Sequence, residues 1–270
     1  DGDHDLFVGV RVLAFSYGAP MNGYILNNDG KGKFKDVTSE VAPALKNIGM
    51  ITDGVWADVD GDKDHDLLVI GEYMPITVFI NESGKFINRT TESGLSKSNG
   101  WWNRIESSDL DNDGDIDFVV GNHGLNSRFR ASPEKPVCMY VNDFDQNGTV
   151  EQIICAYNGA KSYPMALRHD LVKQIPSLKK KYLKYENYKD QTITDIFSPE
   201  QMSNSLKLDA YEFSTCVLIN EGQGKFLLKP LPYEAQMSPV YGIEIFDSDG
   251  DGHQDILLGG NFYKAKPEVG

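Results

Sequence analysis

One acidic nonapeptide recurs five times in this chain, and every copy runs straight into a short apolar segment. The clearest copy is Asp109-Leu-Asp111-Asn-Asp113-Gly114-Asp115-Ile-Asp117, followed by Phe118-Val119-Val120. Asp58-Val-Asp60-Gly-Asp62-Lys63-Asp64-His-Asp66 leads into Leu67-Leu68-Val69, and Asp247-Ser-Asp249-Gly-Asp251-Gly252-His253-Gln-Asp255 into Ile256-Leu257-Leu258. Asp143-Phe-Asp145-Gln-Asn147-Gly148-Thr149-Val-Glu151 is a divergent copy. Asp1-Gly2-Asp3-His4-Asp5 supplies only positions five to nine, so the chain reads as a fragment that opens inside a repeat. Internal repetition restricts a chain to architectures that stack one small unit against its neighbours, because a lone unit cannot bury its apolar face.

A second mark alternates with the first: Asn27-Asn-Asp-Gly-Lys-Gly-Lys-Phe34, Asn81-Glu-Ser-Gly-Lys-Phe86 and Asn220-Glu-Gly-Gln-Gly-Lys-Phe226. Gly and Asn supply the positive φ that tight hairpins demand, and β-rich runs flank each turn. The 51 positions from Asp58 to Asp109 hold four short strands, Val55–Asp58, Leu67–Glu72, Ile76–Asn81 and Phe86–Thr90. Four antiparallel strands per repeat make a propeller blade. The expected fold is therefore all-β: a β-propeller of four-stranded antiparallel blades, part of a roughly seven-bladed ring, with residues 1–270 as one propeller domain or fragment.

Two intervals break the rhythm. Asp109 to Asp143 spans only 34 positions, so either two acidic loops share a blade or the blade there is incomplete. Asp143 to Asp247 spans 104, and its middle carries helical signals: Leu167 and Leu171, then Leu178 and Tyr182. Ser198-Pro199-Glu200 places an N-cap before a proline at the first helical position. Pro164–Asp209 is expected to be a helical insertion between strands.

The chemistry of the acidic copies follows from the spacing of their oxygens. Ca²⁺ takes six to eight oxygen ligands, and a short loop wraps it only if oxygens recur at alternate positions. Positions one, three and five are Asp58, Asp60 and Asp62; Asp109, Asp111 and Asp113; Asp143, Asp145 and Asn147; and Asp247, Asp249 and Asp251. Position seven, expected to offer only its carbonyl, is Asp64, Asp115, Thr149 or His253, and position nine is Asp66, Asp117, Glu151 or Asp255. About four complete calcium sites are expected. A helix-loop-helix calcium hand is excluded because its twelfth position needs Glu, whereas Val69, Val120, Ile154 and Leu258 stand there. No Cys or His spacing suits zinc or copper.

Net charge is −14, which argues against nucleic acid and anionic membranes and makes divalent cations natural partners. No apolar stretch is long enough to span a bilayer as a helix. Trp56 and Trp101-Trp102 offer either blade packing or a stacking platform for sugars. Lys179-Lys180-Lys181 reads as a solvated helix face or a local patch for an acidic partner. Cys138 and Cys155 flank one acidic loop, either as free buried thiols or as a cross-strand disulfide.

These motifs resemble the FG-GAP/VCBS repeat family, calcium-bearing β-propellers related to the head of integrin α-chains. The later stretch, from Gly121-Asn122 through Ala235-Gln236-Met237-Ser238-Pro239 to Gly259-Gly260-Asn261, looks like the C-terminal part of bacterial secreted or surface proteins that carry such repeats beside an ASPIC/UnbV segment. The resemblance implies calcium in the loops at 58–66, 109–117, 143–151 and 247–255, and an extracytoplasmic bacterial location. Lys63 departs from the family's Gly at position six. The leading functional expectation is a noncatalytic, calcium-stabilised scaffold or recognition module for protein or glycan. A lyase-like polysaccharide enzyme, or an accessory subunit of a surface nutrient-uptake complex, is the alternative.

Overall fold

The computed structural model describes residues 2–261, so Asp1 of the first repeat and residues 262–270 lie outside the described residues. The chain is mostly β and divides into two compact units. The first comprises Asp1–Arg11, Pro20–Arg128 and Glu212–Gly270; the second comprises Val12–Ala19 and Phe129–Tyr211.

In the first unit, β1 (Leu6–Gly9), β2 (Gly23–Asn28) and β3 (Phe34–Asp36) form a three-stranded antiparallel sheet, followed by the short helix α1 (Thr38–Val41). β4 (Met50–Ala57), β5 (Asp66–Met74), β6 (Thr77–Asn81) and β7 (Phe86–Asn88) then form an up-and-down meander, with β8 (Gly100–Trp101) also pairing with β5. This is the four-stranded blade that the acidic and Asn-Gly marks predict. Its first strand starts earlier than expected because Met50 and Ile51 are buried ahead of a bulge between Ile51 and Asp53. β9 (Arg104–Ser108) and β10 (Asp117–Gly121) open the next blade around the acidic loop 109–117.

The chain then builds the second unit. β11 (Val137–Asn142), β12 (Glu151–Asn158) and β13 (Lys161–Pro164) precede four short helices, α2 (Arg168–Gln174), α3 (Leu178–Lys181), α4 (Ile193–Ile196) and α5 (Pro199–Ser203). Ser198 caps α5 as the sequence suggests, accepting the Gln201 N–H at 3.2 Å. The helical insertion is shorter than 164–209: Leu206–Ala210 forms β14, which pairs with β11 and completes a sheet of order β13-β12-β11-β14. Leu171, Ile175, Tyr182, Ile193, Ile196 and Phe197 pack from the helical segment onto Cys138, Ile153 and Cys155 of this sheet. All three cysteines are free and buried, with Cys138 directly opposite Cys155 in register. The basic run is partly used internally, since Lys181 Nζ donates to the Asp195 and Ile196 carbonyls at 2.6 and 3.0 Å.

Back in the first unit, β15 (Cys216–Asn220) and β16 (Phe226–Pro230) complete the blade begun by β9 and β10, in the order β16-β15-β10-β9. β17 (Gly242–Phe246) and β18 (Asp255–Gly259) form a final hairpin. The 34-residue interval thus has a different explanation from either expectation. The blade at Asp109 is complete, but its last two strands arrive only after the second unit, which carries its own acidic loop on a separate sheet. No described sheet closes into a barrel, and the architecture is that of a propeller fragment.

The apolar runs of β5 and β10 are uninterrupted because these two strands are buried on both faces, and successive side chains point to opposite faces. Leu67 and Val69 pack with Ile25, Leu45 and Phe79, whereas Leu68 and Ile70 pack with Trp102, Ile105, Phe118 and Val120. Val119, pointing the other way from Phe118, joins Val240 and Ile243. Trp102 is fully buried, with its indole N–H on the Ser98 carbonyl at 2.9 Å, so it is a core residue and no platform.

Candidate metal centres

Every complete acidic copy is the loop between two adjacent antiparallel strands: 58–66 between β4 and β5, 109–117 between β9 and β10, 143–151 between β11 and β12, and 247–255 between β17 and β18. The loops share one internal wiring. The position-one carboxylate accepts the position-six N–H, as in Lys63 to Asp58 (3.0 Å), Gly114 to Asp109 (3.1 Å), Gly148 to Asp143 (2.8 Å) and Gly252 to Asp247 (2.9 Å). The position-five side chain accepts the position-seven N–H, from Asp64, Asp115, Thr149 and His253 to Asp62, Asp113, Asn147 and Asp251. Position six is left-handed throughout: φ is 97° at Gly114, 88° at Gly148 and Gly252, and 78° at Lys63. Lys63 therefore holds a conformation that costs a non-glycine residue about 1 kcal/mol.

This wiring brings carboxylates together. Ligand atoms within 4.8 Å of one another come from Asp58, Asp60 and Asp62; from Asp109, Asp111 and Asp117; from Asp143, Asp145 and Glu151; and from Asp247, Asp249 and Asp251. Two loops thus converge through positions one, three and five, and two through positions one, three and nine. Inside the loops, Asp64 Oδ1, Asp109 Oδ1 and Asp145 Oδ1 are buried without a hydrogen-bond partner. Converging carboxylate oxygens, those of Asp109 and Asp145 buried and unsatisfied, suit a hard divalent cation better than a soft one.

Position nine does more than its sequence role suggests. Asp66 accepts the Val59 N–H at 2.9 Å across its own loop and the Asn81 N–H at 2.7 Å from the end of β6. Asp117 repeats the pattern with Leu110 at 2.9 Å and Asn220 at 2.8 Å, and Asp5 of the incomplete first copy takes the Asn28 N–H at 2.8 Å. Glu151 accepts the Phe144 N–H and Asp255 the Ser248 N–H. The carboxylate thereby ties each acidic loop to the hairpin turn two strands away wherever that turn exists. The hairpin asparagines were visible as turn formers, but their link to position nine is a tertiary pairing with no local signature.

Burial separates otherwise equivalent groups. Asp66, Asp117 and Glu151 are buried, and desolvation raises all three, Asp66 to about 6, against the opposing N–H bonds and with help from neighbouring carboxylates. Asp64 is likewise raised by desolvation and by Asp62. Asp255 is exposed and held low by Ser248, and Asp247 is held low by the Gly252 and Gly250 N–H groups.

Residues 1–69 and 58–120 each match the model of the FG-GAP-like repeat. Residues 1–120 are FG-GAP-like repeats. The two FG-GAP matches overlap across the loop 58–66, and the second ends within β10. The stretch likened to ASPIC/UnbV-associated proteins lies beyond them. There, buried Asn122 bonds Trp101, His123 and Glu212, and buried Gln236 bonds Thr215 and Leu231, so both act as polar pins between strands and loops. No curated protein matches the chain significantly.

Proposed function

We propose that this chain is a calcium-stabilised, noncatalytic recognition or scaffold module of an extracytoplasmic bacterial protein. FG-GAP repeats point to a propeller-type recognition or scaffold role and are typical of extracellular proteins. No described helix is long and apolar enough to cross a membrane. The observation that supports the calcium reading is the convergence of three carboxylates in each of four loops, with a buried oxygen that the protein itself does not satisfy in the converging groups of loops 109–117 and 143–151.

In each loop, the side chains at positions one, three and five would hold the ion, with the carbonyl of Asp64, Asp115, Thr149 or His253. Position nine contributes in the loops where it joins the converging group. Calcium would supply charge neutralisation for carboxylates that otherwise repel one another, and stabilise the fold by binding it better than the unfolded chain.

The test is elemental analysis of protein dialysed against calcium at millimolar concentration and then against calcium-free buffer containing magnesium. Close to four retained calcium ions per chain, one for each converging group, supports the reading, and a chain without calcium overturns it.

A further inference from the structure

Within the first unit, the first two repeats enclose a cleft of about 460 Å³ lined by Asp3, His4, Asp5, Trp56, His65 and Phe86, with Ile25 and Asn81 completing it. Its histidines share one origin. His4 and His65 both occupy position eight of an acidic copy, where the other three copies carry Ile116, Val150 and Gln254. Position eight points away from the inward-facing position nine, and both imidazoles are exposed. Their ring nitrogens have no hydrogen-bond partner among the described residues, while their carbonyls are fixed by the Asn28 and Asn81 side-chain amides at 3.1 and 3.3 Å. The histidines are held by the loop-to-hairpin clamp and contribute their polar atoms to the cleft.

The aromatic side of the cleft is a pair. Trp56 and Phe86 are half-buried, with ring centroids 5.4 Å apart and planes inclined at 60°. An apolar, tilted aromatic wall facing imidazoles and carboxylates is an arrangement with both a face for C–H groups and a rim of donors and acceptors. Among the described residues, no lysine or arginine lines it.

The geometry points to this cleft as a binding site for an uncharged pyranoside. Sugar hydroxyls both donate and accept, which matches imidazoles that do both and carboxylates that accept, and the C–H face of a pyranose stacks on an aromatic ring. Uronates, sulfated sugars and phosphates are disfavoured by the Asp3 and Asp5 carboxylates in a lining whose described residues include no lysine or arginine. A basic side chain of a protein partner satisfies the carboxylates, but its head is small for this volume. The inference rests on the recognition-module reading and names its ligand class. It also makes sugar binding sensitive to calcium, because His65 lies inside the loop 58–66, between Asp64 and Asp66.

Saturation-transfer NMR and tryptophan fluorescence on the full chain, with calcium and with chelator, test this. The probes are methyl glycosides of glucose, galactose, mannose and N-acetylglucosamine, with glucuronic acid and a lysine-rich peptide as competing classes. At least one neutral glycoside is expected to bind the calcium-loaded chain. H65A and W56A should each weaken it by roughly tenfold or more, through lost hydrogen bonds and lost stacking. His65 is exposed, so H65A keeps the test valid if W56A fails to fold. Binding of the peptide or glucuronic acid alone, no neutral glycoside bound, or affinity unchanged in H65A would overturn the assignment. Calcium retention is read separately on the same samples: calcium without sugar defeats the cleft assignment alone, and sugar without calcium defeats the metal reading alone.

Discussion

The Asp117 carboxylate accepts the backbone N–H of Asn220 at 2.8 Å across 103 residues of sequence, fastening the acidic loop 109–117 to a hairpin that the chain builds only after the second unit. Its second oxygen holds the Leu110 N–H, so one fully buried side chain satisfies donors from two neighbouring turns at one end of the blade. Asp117→Ala should therefore cost about 2–4 kcal/mol in calcium-free buffer, since two N–H groups lose their acceptor. Asp113→Ala, an exposed residue accepting one N–H within its loop, should cost less than about 1 kcal/mol. Urea unfolding of both variants in chelator checks the ranking, and equal losses would contradict the clamp.

Within the same loop, calcium should distinguish two neighbours of identical chemistry. Asp111 belongs to the converging group with Asp109 and Asp117, whereas Asp115 at position seven would offer an ion only its carbonyl, which alanine keeps. Asp111→Ala should lose most of the calcium-induced rise in melting temperature attributable to this loop, and Asp115→Ala little of it. Matching losses would remove the ligand assignment.

Lys63 sits at φ 78° where the three other complete loops place glycine. Lys63→Gly relieves the left-handed strain, so stability in chelator should rise by up to about 1 kcal/mol, offset by the loss of a positive charge beside the carboxylates, a loss that in turn favours calcium. Calcium affinity of the loop should rise with it. Unfolding in chelator and a calcium titration measure the two effects, and a variant indistinguishable from the parent in both would refute the assignment.

Asp66 gives the calcium-free protein a pH signature. Its folded value, about 6, lies above the ordinary carboxylate range, so between roughly pH 4 and 6 the folded chain binds a proton that the unfolded chain has released. That contribution to stability is fully present below the unfolded value and is lost as pH rises through about 6. Asp117 and Glu151, shifted in the same direction, add to the slope. Asp66→Asn should flatten part of the fall in stability across this window in chelator, measured by urea unfolding at stepped pH; an unchanged slope would contradict it.

Much of the first unit is legible in the sequence because its signals are local. The positive φ at position six, the alternate acids and the uninterrupted Leu67–Ile70 run each report the conformation of the residues that carry them. The partner of β10 is not local: nothing near Phe118-Val119-Val120 announces that Val119 will pair with Val217, and the short interval to Asp143 invites a different division of strands. Leu206–Ala210 falls at the end of the expected helical insertion but is a strand because it pairs with β11, far earlier in the chain. In the acidic loops the acids converge through positions one, three and five in two copies and through one, three and nine in the other two, a choice that the spacing alone does not reveal. The double hydrogen-bonding role of Asp66 and Asp117, and the meeting of His4 with His65 in one cleft, depend on which repeats become neighbours, and that is decided by tertiary packing.

The most direct measurement of the central claim is differential scanning calorimetry of the full chain in chelator, after return of calcium, and after return of magnesium instead. Removing the ion leaves converging carboxylates to repel one another in a partly desolvated setting, and magnesium prefers a smaller, water-rich octahedral shell. The account predicts a melting temperature that falls in chelator, recovers with calcium in proportion to the logarithm of its free concentration once the sites fill, and recovers poorly with magnesium. Superimposable traces under all three conditions would contradict it.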